Sequence, residues 1–360
     1  MDRAILYRAA GRFRLPGRIL SVTPYGSGHI NATYLVLVQE RERPVRYILQ
    51  RLNENVFKKP EEVMANIGKV TAHLKARGGS DREVLSFLPA DDGRLFAREE
   101  GGVWRLCRFA EDSVCLDTVD GERSLYECAF AFGRFQRDLA DFPADSLYET
   151  IADYHNTPAR FNAFREAVDA DARGRAEGAR EEIASVFAGR DFYSVLTDAR
   201  ARGELPLRVT HNDTKSNNVL LDKTTRRALC VIDLDTVMPG LSVTDFGDAV
   251  RFGASSAAED EPDLRKVRLD IGLFRACAEG YLEGCGGMLE PGEIMLLPEG
   301  ARMMAAECGM RFLTDYLKGD VYFRTDYPEH NLVRARAQLK LAKDMEDRFG
   351  EMKTIVRRFL

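Results

Sequence analysis

The run Thr210-His211-Asn212-Asp213-Thr214-Lys215-Ser216-Asn217-Asn218, followed by Val231-Ile232-Asp233-Leu234-Asp235, constrains this chain more than any other stretch. Residues 207–210 read as a short strand ending at His211. Residues 218–222 and 228–233 are two largely apolar runs joined by Lys223-Thr224-Thr225-Arg226-Arg227, the pattern of an antiparallel hairpin. In such a hairpin the start of the first strand lies beside the end of the second. Asn218 and Asp233 are therefore expected at one edge, about one strand spacing (~5 Å) apart, and Asp213 hangs from the loop that feeds that edge. A carboxylate, an amide and a second carboxylate so arranged suit phosphoryl transfer. Asp213 would accept a hydroxyl proton, and Asn218 and Asp233 would hold Mg²⁺ on a nucleotide. Any one of these residues could equally decorate a turn; all three in register with a hairpin form a specific combination. His211 is expected to brace the loop backbone rather than perform chemistry.

A chain of 360 residues exceeds the usual size of one hydrophobic core, so two lobes are expected. Lys and Arg number 52 against 57 Asp and Glu, a formal charge of −5 that does not suggest nucleic-acid binding. The basic cluster at residues 173–180 is interleaved with acids and small residues, as on a solvated helix face. Seven dispersed cysteines without a C-x-x-C pair fit reduced thiols better than a disulfide framework. None of the five histidines forms a pair with zinc-ligand spacing. The first residues lack an apolar signal-like core, and no stretch approaches a membrane span. These features set the expectation of a cytoplasmic protein without nucleic-acid, membrane or obligate protein partners.

Residues 19–50 read as strands with turns, Thr33-Tyr34-Leu35-Val36-Leu37-Val38 being β-branched and apolar. A helix is expected from Pro60, with Glu61 and Glu62 in its first turn and Val63, Ile67, Val70 and Leu74 on one face, ending at Gly78-Gly79. Residues 85–88 and 103–109 look like further strands, with the lone Trp104 in core packing. From Ser124 the period becomes helical, with Leu125, Cys128, Ala129, Phe132 and Phe135 on one face. A polar helical region near 160–200, the β segment at 207–234 and helices to the end complete the pattern. The expected fold class is α+β and bilobal: residues 1–110 as a small β-rich nucleotide-binding lobe, residues 111–360 as a larger, mostly helical lobe with the catalytic loop and acceptor pocket.

The spacing H-x-D-x-x-x-x-N followed by a hydrophobic-hydrophobic-D strand end resembles the aminoglycoside phosphotransferase and choline kinase superfamily, matched at His211, Asp213, Asn218 and Asp233. The resemblance implies a protein-kinase-like fold, ATP and Mg²⁺, with Asp213 as catalytic base and Asn218 and Asp233 as metal ligands. Asp245-Phe246-Gly247 spells the protein-kinase metal motif, but it lies too far beyond Asp213 for that role. Asp245 fits instead the superfamily's later acid, which accepts backbone N–H bonds and holds the catalytic loop. Asp235 is an additional acid outside the usual pattern.

Pro24-Tyr25-Gly26-Ser27-Gly28-His29-Ile30-Asn31 is a small-residue turn between strands, where glycines let backbone amides approach phosphate. A purely structural turn is the plainer reading of that segment alone; beside the downstream motif it fits the superfamily's nucleotide loop. Gly26, Ser27, Gly28, Gln50, Arg108 and Ala110 are the nucleotide-side candidates. Gln50 stands where the ATP-pairing lysine would be; Arg51 or Lys69 are candidates to compensate, and phosphate charge is expected to be met mainly by loop amides and metal.

Several blocks look like the bacterial N-acetylhexosamine 1-kinases: the turn from Pro24 to Asn31, Tyr47-Ile48-Leu49-Gln50, the run Val209 to Lys215, Ile232-Asp233-Leu234-Asp235-Thr236, Arg251-Phe252-Gly253-Ala254 and Glu307-Cys308-Gly309-Met310-Arg311-Phe312-Leu313. That family also departs from lysine at the position of Gln50. The implied reaction transfers the ATP γ-phosphoryl to the anomeric hydroxyl of N-acetylglucosamine or N-acetylgalactosamine by direct in-line attack. Residues 303–318 read as a helix with Glu307, Arg311 and Asp315 on one face, either a solvated ion-pair ladder or part of a sugar pocket. The resemblance places sugar binding on Tyr25, His29, Arg311 and Tyr322, and arginine forks and aromatic faces suit a sugar. The alternatives are a kinase of the same fold for choline, homoserine, methylthioribose or an aminoglycoside, and a non-catalytic nucleotide-binding regulator.

Overall fold

The computed structural model describes residues 2–26 and 31–360, so Ser27, Gly28 and His29 lie outside the described residues. Helix α1 (Arg3–Gly11), capped by the Asp2 carboxylate on the Ala4 amide at 3.0 Å, precedes a five-stranded antiparallel sheet. Its strands are β1 (Arg18–Pro24), β2 (Ala32–Glu40), β3 (Arg43–Arg51), β4 (Ala97–Glu99) and β5 (Gly102–Arg108), in spatial order β1-β2-β3-β5-β4. Helix α2 (Pro60–Ala76) enters between β3 and β4, with Pro60 at its start and Glu61 and Glu62 in its first turn.

The alternation along these strands decides what faces what. Val36, Val38, Tyr47, Leu49 and Leu106 pack on Leu6, Ala9 and Ala10 of α1 and form the outer core. The opposite face carries Ile48 and Gln50 of β3 and, in register with them, Cys107 and Arg105 of β5. Val63, Ile67 and Val70 of α2 join Val103, Phe135, Val209 and Leu234 in one buried cluster, so the N-terminal sheet and the C-terminal part share a core. Each such aliphatic side chain contributes about 1.5–3 kcal/mol by leaving water. Trp104 is buried in the outer core, its indole N–H donating to Glu99 O at 3.1 Å.

Beyond the sheet, β6 (Ser113–Cys115) leads into α3 (Glu122–Asp138), α4 (Thr157–Ala170), α5 (Arg180–Ala188) and α6 (Val195–Ala201). Then come β7 (Arg208–Thr210), β8 (Val219–Asp222), β9 (Ala228–Val231) and β10 (Met238–Gly240). Helices α7 (Ser242–Gly253), α8 (Ile271–Cys285), α9 (Pro291–Lys318), α10 (His330–Asp347) and α11 (Phe349–Val356) follow. Strands β8 and β9 form the expected hairpin, with Val219 opposite Val231 and Leu220 opposite Cys230. Two pairings were not legible in advance: β6 adds a third strand to that hairpin, and β7 pairs with β10.

Two expectations change. Residues 85–88 are not a strand; only Phe87 bridges Cys107, and the next amide in line, Ala90 N–H, turns away to Arg94 O at 2.7 Å. The helix expected from 303 starts twelve residues earlier, at Pro291, where Glu290 and Glu293 form a reciprocal capping box. Packing keeps Pro298 inside that helix. A Cβ on Gly300 would come within 2.1 Å of Val243 O, and one on Gly247 within 2.4 Å of Gly300 O, so these glycines let α7 and α9 cross at backbone distance. Among the described residues no helix is long and apolar enough to cross a membrane.

Candidate active site

The loop after β7 is built from backbone bonds to acids on α7. Asp245 Oδ2 accepts the His211 N–H at 2.8 Å and Oδ1 the Asn212 N–H at 2.7 Å, while Gln136 Nε2 donates to Oδ2 at 2.8 Å. Three residues on, one helical turn, Asp248 Oδ2 accepts the Thr214 N–H at 2.9 Å and Oδ1 pairs with Arg251 Nε at 2.9 Å. Burial pushes the Asp245 carboxyl up against the pull of His211 and these donors, whereas Arg251 holds that of Asp248 down despite its burial. Asp245 therefore holds the loop, with both of its oxygens engaged by these donors. His211 donates Nε2 to Ile232 O at 2.9 Å and accepts the Asp213 N–H on Nδ1 at 3.3 Å, its ring edge-on to Phe132. It ties the loop to the end of β9, and Asn212 sits at φ 64 to make the bend.

This frame presents Asp213 with one oxygen engaged. Asp213 Oδ2 accepts from Asn218 Nδ2 and Lys215 Nζ, each at 2.9 Å, and Oδ1 has no partner among the described residues. Because Asn218 spends its amide protons on Asp213, its Oδ1 is left as an acceptor. Ile232 N–H donates to Asn218 O at 2.9 Å, which closes the hairpin and sets Asn218 and Asp233 at the same edge. Asp233 sits at φ 59, a conformation that costs a non-glycine residue and that a following turn enforces. Its carboxyl is pushed up to about 6, first by burial, then by Asp235 and Asp213. Lys215, inside the motif but given no role from sequence, is the cation of this group.

On the sheet side Gln50 donates Nε2 to Thr33 Oγ1 at 3.2 Å and accepts Arg105 Nε at 2.9 Å. Arg105 also forms a buried ion pair with Asp235, and Asn31 Nδ2 donates to the other Asp235 oxygen at 2.6 Å. Asp235 is thus neutralised by an arginine and does not stand open to metal or substrate. The two residues expected to compensate for the missing lysine are engaged elsewhere: Arg51 with Gly101 O at 3.2 Å, Lys69 with Ser146 O at 2.6 Å.

Of the remaining candidates, Gly26 takes the left-handed conformation at φ 72 that its turn requires. Tyr25 packs edge-on against Phe109, 5.8 Å between centroids, beside the nucleotide-side candidates and not with Arg311 and Tyr322. The Arg108 side chain reaches toward Glu40 at 4.0 Å, and its register opposite Tyr47 puts it on the outer sheet face, away from Gln50. Ala110 O accepts Ser113 Oγ at 2.7 Å.

The acceptor end forms around α9. Glu307, Arg311 and Asp315 are not an ion-pair ladder, because each has a separate task. Glu307 receives Thr157 Oγ1 at 2.5 Å and faces His155 Nδ1 at 3.0 Å, whose Nε2 lies 3.4 Å from Asn212 O. Asp315 accepts the N–H groups of Val321, Tyr322 and Phe323 at 3.0, 2.8 and 2.9 Å and so shapes the segment carrying Tyr322. Arg311 lies 5.4, 6.0 and 5.5 Å from the ring centroids of Tyr154, Tyr322 and Phe323, yet has no hydrogen bond or ion pair with any described residue. Burial pushes the Tyr154 phenol up, Arg311 draws it back, and the charges of Asp213 and Asp248 add to the rise. Tyr322 remains 60% exposed. Sequence reasoning missed Tyr154, His155 and Arg105; only Arg105, a charge inside an apolar strand, left a visible signal.

Residues 21–279 match the model of the phosphotransferase enzyme family APH, well over half of the chain. The chain belongs to this family. The fold agrees. The microcompartment-associated aminopropanol kinase aligns with a TM-score of 0.62 at 18% identity, over 98% of this chain and 99% of that one. Choline kinase from Cryptosporidium parvum aligns with 0.59 at 13% identity, over 99% of each chain. The ADP-bound aminoglycoside phosphotransferase APH(2'')-Ib aligns with 0.54 at 13% identity, over 96% of this chain and 99% of that one. At these identities the likeness is one of fold, with a β-sheet-rich N-terminal part and a helical C-terminal part.

In this phosphotransferase the donors at the hairpin edge are one carboxylate and one amide oxygen. No group of three or more His, Cys, Asp or Glu in metal-holding geometry occurs among the described residues. A sparse oxygen set fits Mg²⁺, which completes its shell from water and substrate phosphate, and it does not fit zinc. A test follows from Asp233. Its folded value is raised above that of the unfolded chain, so the fold favours the protonated form; the ionised form costs stability, a cost absent at low pH and complete above about 6. A divalent cation bound there offsets that cost. Added Mg²⁺ with ADP is expected to raise Tm more at about pH 7.5 than at about pH 5, because protons compete with the metal. Equal shifts at both pH values would remove Asp233 from the metal site.

Proposed function

We propose that this phosphotransferase is an ATP-dependent kinase that phosphorylates the anomeric hydroxyl of N-acetylhexosamines. The single observation that carries the acceptor class is Arg311, which is held by three aromatic rings with its guanidinium donors unmet by any described residue. Burial lowers the pKa of the nearby Arg160 and Arg311 lowers it further, and its buried Nε has no partner among the described residues. Two guanidiniums repel a cationic acceptor such as choline, ethanolamine or aminopropanol and suit the hydroxyl and amide oxygens of a neutral sugar. The aromatic faces suit its C–H surface.

In this reading the open Oδ1 of Asp213 takes the proton of the attacking hydroxyl, while Lys215 and Asn218, both on Oδ2, hold the carboxylate aimed. The anomeric hydroxyl is more acidic than an ordinary alcohol, so positioning outweighs basicity. Asn218 and Asp233 would hold Mg²⁺, which when bound offsets the charge of the nucleotide's phosphates.

An ATP-consumption screen of hexoses, hexosamines, N-acetylhexosamines, choline, ethanolamine and aminoglycosides, with phosphorus NMR on the product, tests the proposal. A sugar 1-phosphate is expected; a 6-phosphate or a preferred amine acceptor overturns it. Arg311→Met keeps the stacking volume and removes the donors. It is expected to raise the acceptor KM by about 10- to 100-fold, the worth of one or two charge-assisted hydrogen bonds, and to leave the KM for ATP unchanged. A change in the ATP term instead would place Arg311 on the nucleotide side.

A further inference from the structure

Kinases of this architecture pair the nucleotide phosphates with a lysine on β3 that is itself held by an acid. Here that place is neutral, yet the same face of the sheet is not without charge. Arg105 stands directly across from Gln50 in the β3–β5 register and is 2% exposed. A guanidinium so buried is costly unless its donors are met. Two of its three nitrogens are accounted for: Nε donates to Gln50 Oε1 at 2.9 Å, and Nη1 forms the ion pair with Asp235. Nη2 has no hydrogen bond with any described residue.

The oxygen partners of Arg105, Gln50 and Asp235, lead to the nucleotide side of the site. Asp235 is two residues beyond Asp233, and the charge of Asp233 acts on Arg105 directly. The other Asp235 oxygen holds Asn31, the residue at which the small-residue turn rejoins β2. Asn31 Oδ1 in turn accepts the Asn53 N–H at 2.9 Å. Arg105 thus sits where β3, β5, the end of the turn and the exit of the metal hairpin meet.

We infer that Arg105 is the phosphate-side cation of this enzyme, supplied by β5 in place of a lysine on β3. Gln50 is then the partner this exchange requires. A lysine at 50 would set a second cation within hydrogen-bond distance of the guanidinium, whereas the amide accepts from Nε and turns its own donors to Thr33. Asp235 takes the part of the acid that holds the cation. Nη2 is the donor left for the nucleotide.

This inference rests on the ATP-dependent half of the proposed function and not on the acceptor. The test is calorimetric binding of ADP with Mg²⁺ to the full chain, alongside thermal unfolding and the KM values of both substrates. Arg105→Met is expected to weaken ADP binding by about 10- to 100-fold, the worth of a charge-assisted contact, with the acceptor KM unchanged. Gln50→Lys alone is expected to bind ADP poorly, because its ammonium and the guanidinium compete for Asp235. The pair Gln50→Lys with Arg105→Met restores the usual geometry and is expected to recover most of the affinity, which a packing role for Arg105 would not allow. Unchanged ADP affinity in a folded Arg105→Met protein overturns the inference and leaves the kinase reading intact. If that variant does not fold, the double variant decides: recovered binding supports the inference, and failure to fold or bind overturns it. Absence of Mg²⁺–ADP binding by the unaltered protein overturns both.

Discussion

Asp213→Asn is expected to fold as the unaltered protein does and to lose about a hundredfold to ten-thousandfold in kcat, the range one positioned general base supplies. The substitution is isosteric, and the amide oxygen still accepts from Asn218 Nδ2 and Lys215 Nζ, now at 2.9 Å from Asp213 Oδ2. What disappears is a carboxylate oxygen able to take a proton. The backbone bonds that shape the loop come from Asp245, Asp248 and His211 and do not involve the Asp213 side chain. A coupled assay of ADP release beside a melting curve separates chemistry from folding. Retention of more than about a tenth of the turnover would contradict the role given to Asp213.

The second large effect is structural. Asp245→Ala removes the acceptor of the His211 and Asn212 amides and of Gln136 Nε2 in one step, at a side chain that is 1% exposed. Each buried donor left unmet costs about 1–3 kcal/mol, so a loss of about 3–5 kcal/mol is expected, near the top of what single substitutions do. Asp245→Asn is no remedy, since its amide would turn donors toward donors. Denaturant unfolding reads the loss, and activity should fall even where the protein remains folded, because the loop bearing Asp213 loses its anchor. A change below about 1 kcal/mol would mean that water or a rearranged loop meets these amides instead.

The catalytic hairpin was legible because its determinants are local. Strand alternation, a five-residue turn and the period of two place Asn218 and Asp233 at one edge whatever surrounds them. Asp245 could be set apart from Asp233 on the same ground, because the strand end selects the metal position. Helix α2 was equally legible from its proline, its first-turn acids and its apolar stripe. The acceptor wall was not. Arg311 was named, but its enclosure joins Tyr154, ahead of α4, to Tyr322, beyond α9, and no spacing relates residues so far apart. The start of α9 was misplaced because the spacing of Glu307, Arg311 and Asp315 marks only its later turns, and Pro298, ordinarily a helix breaker, lies buried inside it.

By itself the sequence determined the β-rich to helical order of the two parts and the hairpin edge where Asn218 and Asp233 meet, both set by contacts among near neighbours in the chain. The tertiary structure alone decided the partners of the buried charges. Asp235, an unassigned extra acid in the sequence, is the counterion of Arg105; Glu307 binds His155 and Thr157; Arg311 is left open. A buried charge must find its partner through space, and the Coulomb energy that selects that partner depends on distance and burial, not on separation along the chain.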